Sequence, residues 1–73
     1  LAGAYLSKAN LRYAGLTETD LEGACLIGAD LKGANLEYAD FETANLENAN
    51  LEDVSLLGTN LRGAYLAGTV LES

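Results

Sequence analysis

The sequence predicts an all-β solenoid assembled from five-residue units, and three features of the chain predict it. An apolar residue stands at every fifth position without interruption, from Leu1 through Leu6, Leu11 and onward to Leu71, with Phe41 the one substitute for leucine. Two residues before these centres the side chain is always small: Ala at ten places, Thr19, Thr59 and Thr69, and Val54. Seven of the eight glycines, Gly3, Gly23, Gly28, Gly33, Gly58, Gly63 and Gly68, fall two residues after a centre, and Gly15 is the exception.

A period of five fits neither regular element. On an α-helix each residue advances about 100°, so centres five apart scatter round the cylinder instead of forming a stripe. On an uninterrupted strand five is odd, and successive centres would alternate between faces. A short extended piece that points two residues inward, followed by a turn that resets the phase, satisfies the pattern. A large and a small inward residue on each piece suits a narrow core shared between sides. The glycines then sit where a corner requires positive φ. Corners without glycine at Lys8, Tyr13, Glu18 and Thr43 are expected to use a different turn geometry, whereas Asn48 and Asp53 tolerate the left-handed region. No unit buries its apolar side alone, so the units must stack.

Seventy-three residues allow one domain, expected over 1–73, and a chain of this size usually needs a disulfide, a metal or a partner to be stable. Cys25 is the only cysteine and there is no histidine, so neither an internal disulfide nor a Cys/His metal site can form. The same shortage excludes Cys/His and Ser/His/Asp nucleophile systems, and no phosphate-cradling glycine loop is present. The expectation is a non-enzyme with no cofactor and no metal. Asp, Asn, Glu, Lys and Gly recur throughout, so no segment is a membrane-spanning helix, and no membrane contact is expected. Eleven acids against four bases give a net charge of −7. That balance disfavours direct binding to nucleic acid and to anionic membranes. Between Glu18 and Asp53 there are ten acids and one base, Lys32.

The run ADLKG, ANLEY, ADFET, ANLEN, ANLED from Ala29 to Asp53 resembles the pentapeptide repeat family, whose signature is Ala, Asp or Asn, Leu, and two variable residues. The resemblance covers the whole chain; Tyr5, Gly15, Cys25, Ser55, Tyr65 and Val70 replace the Asp or Asn without touching the core. It implies a right-handed quadrilateral β-helix, a pentapeptide repeat solenoid of about three and a half coils of twenty residues. The spacing agrees: Gly3, Gly23 and Gly63 share a corner, and Tyr5 shares a column with Tyr65. Coils about 4.8 Å apart make a prism roughly 17 Å long.

Ladders of Asp and Asn before the centres, such as Asp20, Asp40 and Asn60, are read as hydrogen-bonding to backbone at the next corner. Cation binding by Asp20 and Asp40 is the weaker reading, since the same ladder recurs with Asn. Residues after the centres face solvent, where Glu42 and Arg62 are placed to pair. Glu37 and Glu47 flank Glu42 on neighbouring sides as an acidic belt, and Ile27 and Leu57 add exposed apolar surface; with Glu22 and Asp40 these seven are the candidate partner-contact surface. Leu1 in place of Met, with the repeat already in step, suggests a start upstream, and one or both ends are expected to lack caps. Missing residues, another domain, or a second copy in an end-to-end homodimer would cover them.

The function expected is therefore a structural or protein-interaction scaffold for an unknown protein partner. One branch of the family, the quinolone-resistance proteins, resembles DNA in shape and charge and binds DNA gyrase, a type II topoisomerase. Seven charges over that axis is one per roughly 2.5 Å, the order of duplex DNA at about 1.7 Å. The third expectation is a repeat domain appended to a larger enzyme or signalling protein. The resemblance implies bacterial, notably cyanobacterial, members, with a cytoplasmic setting ahead of thylakoid lumen or periplasm.

Overall fold

The computed structural model describes residues 1–71 as a rising series of short extended pieces and turns, with no helix among them. From Tyr5 to Asn50, each residue that precedes a centre is bridged in parallel to the residue twenty further on, in four columns. These are Tyr5–Cys25–Asn45–Tyr65, Asn10–Asp30–Asn50–Val70, Gly15–Asn35–Ser55 and Asp20–Asp40–Asn60. With one turn every five residues, four units separate each bridged pair. The coil is four-sided, and its sides are numbered here in chain order. Side 1 comprises 4–8, 24–28, 44–48 and 64–68; side 2 comprises 9–13, 29–33, 49–53 and 69–71. Side 3 comprises 14–18, 34–38 and 54–58, and side 4 comprises 19–23, 39–43 and 59–63.

The unit 34–38 shows why the pattern has this period. Ala34 N–H donates to the Leu31 carbonyl across the preceding turn at 2.9 Å, and Asn35 N–H reaches down to Ala14 at 2.9 Å. Leu36 N–H donates to Ser55 at 3.0 Å and Tyr38 N–H to Leu57 at 2.9 Å, both in the coil above. The fifth donor, Glu37 N–H, is accepted by Asn35 Oδ1 at 3.0 Å. The ladder thus satisfies four of the five backbone donors, and the side chain of the Asp or Asn satisfies the remaining one. Arg12, Glu22, Lys32, Glu42, Glu47, Glu52 and Arg62 receive the same cap, at 3.0–3.2 Å, from the Asp or Asn two residues earlier. The predicted backbone-bonding role of these ladders is therefore observed, and it explains the residue type: Asp and Asn are short enough to return to an N–H two positions on.

Corners depart from expectation in one respect. Lys8, Tyr13, Glu18 and Thr43 do not adopt a different turn; their φ values of 62°, 61°, 62° and 59° place them in the same left-handed region as the seven glycines at 68–73°. Tyr38, Asn48 and Asp53 join them at 60–61°. Positive φ at the third turn residue alone, with a hydrogen bond from the fourth N–H to the first carbonyl, is the type II arrangement. The turn bond and the inter-coil bonds on either side of each corner outweigh the strain, about 1–2 kcal/mol per non-glycine residue. Gly15 has no positive φ, consistent with its place before a centre. Among the described residues the exposed Glu18 side chain makes no hydrogen bond or ion pair that would offset its strain, so Glu18→Gly is expected to raise stability by up to about 1 kcal/mol, less the added freedom of the unfolded chain. Equilibrium urea unfolding checks it; a loss of stability would show that left-handed strain does not govern that corner.

Large corner residues sit over glycines one coil above. The Tyr13 ring covers Gly33, the Tyr38 ring covers Gly58 and Asn48 covers Gly68, each so closely that a Cβ on the glycine would overlap it. Glycine at these positions supplies both positive φ and room.

The core is the stack of inward leucines and alanines. Leu21, Leu26, Leu31, Leu36, Phe41, Leu46 and Leu51 are fully buried, interleaved with Ala24, Ala29, Ala34, Ala39, Ala44 and Ala49. Phe41 is the largest of them and stands between Leu21 and Leu61 in the side 4 column. Toward the first and last coils the same inward positions open: Leu1 is 65% exposed, Leu66 36% and Leu71 53%.

Candidate functional site

With the ladder and core satisfied by the repeat itself, any site must be read from the outward side chains. Side 4 gathers the densest charge. Asp20, Glu22, Asp40 and Glu42 stand in two adjacent coils, with Asn60 and Arg62 in the coil above. One carboxylate oxygen from each of Asp20, Glu22 and Asp40 lies within 4.8 Å of the others. Two of these carboxylates are already engaged: Asp20 Oδ1 accepts from Glu22 N–H at 3.1 Å, and Asp40 Oδ1 accepts from Glu42 N–H at 3.0 Å and from Asn60 Nδ2 at 3.3 Å. Their proximity follows from the twenty-residue register, which stacks identical positions one coil apart.

The candidate contact residues do not form one patch. Glu22, Asp40 and Glu42 share side 4, whereas Glu37 and Leu57 lie in successive coils of side 3, and Ile27 and Glu47 in successive coils of side 1, opposite it. Leu57 is 62% exposed, but Ile27 is half-buried, so it offers less apolar surface than its outward position predicts. Glu37 Oε2 accepts a hydrogen bond from Ser55 Oγ at 2.9 Å. Glu42 and Arg62 do not pair. The ion pairs among the described residues are Arg12–Asp30 at 3.8 Å and Lys32–Glu52 at 3.7 Å, both on side 2. Arg12 also lies 5.9 Å from the centroid of the Tyr13 ring. Side 2 thus holds two of the four bases and largely neutralises itself, leaving the uncompensated acid concentrated on sides 3 and 4. Sequence reasoning marked the acids but not this partition, because the pairing depends on which residue lies one coil away.

The chain matches the family described as pentapeptide repeats in eight copies, over residues 1–26, 24–63 and 44–73. It belongs to the pentapeptide repeat family. Known structures of that family are right-handed quadrilateral β-helices, in keeping with the four-sided register seen here. Among solved pentapeptide repeat structures, the chain is similar to HetL, a protein involved in heterocyst differentiation regulation from the cyanobacterium Nostoc sp. strain PCC 7120. Identity is 38% and the TM-score 0.65, over 97% of this chain and 38% of HetL. It is also similar to Rfr23 from the cyanobacterium Cyanothece 51142, at 46% identity and a TM-score of 0.55, over 92% of this chain and 53% of Rfr23. The chain therefore spans about two-fifths to half the length of these two pentapeptide repeat proteins. A comparison with curated proteins finds no significant match.

Proposed function

We propose that this pentapeptide repeat chain is a right-handed coil of about three and a half turns that works as a non-catalytic scaffold, with side 4 as its docking surface for a basic protein segment. The observation that carries the reading is the placement of Asp20, Glu22, Asp40 and Glu42 on one side, against a single base, while the ion pairs among the described residues lie on side 2. Glu37, round the corner on side 3, extends the acidic surface. The regulatory role in HetL's description supports an interaction role over a catalytic one.

Titration calorimetry with a lysine-rich peptide tests it. Neutralising Glu22 and Glu42 together, as Glu22→Gln with Glu42→Gln, is expected to weaken binding by roughly fivefold, in line with ~1 kcal/mol for exposed ion pairs. The matched change Glu52→Gln with Asp53→Asn on side 2 should leave it nearly unchanged. Equal losses from both variants would reduce the effect to net charge and overturn the assignment.

A second reading is favoured by the charge density of seven over a short axis: an acidic mimic of DNA that occupies a type II topoisomerase. Inhibition of gyrase supercoiling that falls steeply as salt rises from about 50 to about 200 mM would select it over the scaffold, since exposed charges are screened over about 7 Å at the higher salt.

A further inference from the structure

Side 1 departs furthest from the capping rule that sides 2 and 4 obey. In three of its four coils the residue before the centre cannot cap: Tyr5, Cys25 and Tyr65 stand where Asp or Asn supplies the fifth hydrogen bond elsewhere, and only Asn45 conforms. Ser7, Ile27 and Ala67 therefore lack the side-chain acceptor that Glu47 has in the same column. Sides 2 and 4 keep the cap at every unit from Asn10 to Asn60, and side 3 keeps it at Asn35 but replaces it at Gly15 and Ser55 with small residues, whereas side 1 replaces it twice with an exposed tyrosine. Local rules abandoned without a gain in stability mark functional surface. Tyr5 is 80% exposed and Tyr65 53%, so neither tyrosine is a core residue displaced outward.

Charge decides which partner this side admits. Its only ionic residues are Glu47 and Lys8, so it is neutral in a chain of net charge −7, while side 4 carries four acids and one base. Two copies of the chain repel one another across sides 3 and 4 and do not across side 1. The column also matches itself when reversed. Tyr5, Cys25, Asn45 and Tyr65 occupy four successive coils, so a two-fold axis passing between Cys25 and Asn45 sets each Tyr5 against the other copy's Tyr65. Self-matching of this kind is what an isologous contact requires.

We infer that side 1 is a lateral contact surface for a second copy of this chain, packed antiparallel with Tyr5 against Tyr65. This surface is separate from the acidic side proposed above and stands or falls independently of it. A body measuring 25 × 22 × 19 Å offers about 500 Å² on one side, so the pair buries about 1,000 Å² in all, at the lower limit for a specific interface. The association is accordingly weak and concentration-dependent.

The native thiol reports it. The two-fold axis brings the two Cys25 residues to coils one step apart, about 5 Å along the axis. A bis-maleimide with a span of about 8 Å, comparable to that one-coil offset, is therefore expected to trap the native chain as a dimer in a yield that rises with protein concentration. The chain with Cys25→Ser and Thr17→Cys carries its thiol on the opposite side and sets the collisional baseline. Tyr5→Ala with Tyr65→Ala should lower the native yield at least tenfold, to that baseline, while Leu1→Asp with Leu71→Asp, at the two open ends and off side 1, should leave it unchanged. Circular dichroism confirms that each variant is folded before its yield is read. A native yield no higher than the baseline, a yield indifferent to the tyrosine pair, or a yield abolished by the end substitutions would each overturn the lateral contact.

Discussion

Phe41→Ala is expected to lower the free energy of unfolding by about 3–5 kcal/mol, the largest loss of any single truncation in this chain. Phe41 is fully buried and is the bulkiest side chain inside the coil, held between Leu21 and Leu61 by bridges at Asp20, Asp40 and Asn60. The backbone above and below is fixed by hydrogen bonds from Leu21 N–H to Asp40 at 2.7 Å and from Phe41 N–H to Asn60 at 2.8 Å. A coil clamped in this way cannot close over the space left behind, so the cavity persists and its cost adds to the lost transfer energy. Domains of this kind have about 5–15 kcal/mol in total, so the variant should unfold at much lower urea concentration, read by far-UV circular dichroism. Leu66→Ala, at an inward position already 36% exposed, should cost far less. Similar losses at the two positions would mean that stability is not concentrated in the central coils.

Gly33→Ala is expected to cost about 2–3 kcal/mol, and Gly23→Ala provides its internal reference. The two glycines have nearly the same φ, 71° and 69°, so the left-handed strain imposed on alanine is common to both, about 1–2 kcal/mol. Their surroundings differ. An added Cβ at Gly23 meets only Thr43 Oγ1, at 3.9 Å, whereas at Gly33 it overlaps the Tyr13 ring and drives it off its seat. The excess loss at Gly33, about 1 kcal/mol, should vanish in a Tyr13→Ala background, because contacting residues couple and removing one partner removes the coupling. If the two glycine substitutions cost the same in the native background, the ring contributes nothing by resting there.

The repeat was legible because each of its parts does one job. The centres from Leu21 to Leu51 are buried with their small partners, the glycines take positive φ, and the residues twenty apart are bridged, all as the spacing indicates. The corners at Lys8, Tyr13, Glu18 and Thr43 were misread because residue preference was weighed one turn at a time. In the stack a corner is held by bonds from neighbouring coils, and the collective geometry overrides the local preference. The outer surface was legible as columns but not as pairs. Arg12 reaches Asp30 and Lys32 reaches Glu52, while Glu42 and Arg62 stay apart, because long side chains choose among several neighbours and the register alone does not rank them. The seven candidate contact residues fall on three sides of the coil, as the twenty-residue register dictates.

The bridging of residues before the centres to those twenty positions on gives the outer wall a reading frame of its own. Loss of a single unit, such as residues 34–38, would leave every later leucine facing inward and every later corner in place. It would also advance all later side chains by a quarter turn, placing Asp40 above Gly15 instead of Asp20 and moving Tyr65 out of line with Tyr5. Gain or loss of four units restores the frame. Lineages that differ by one pentad can therefore share a core and display different surfaces, and those that differ by twenty residues keep the surface and change only its length.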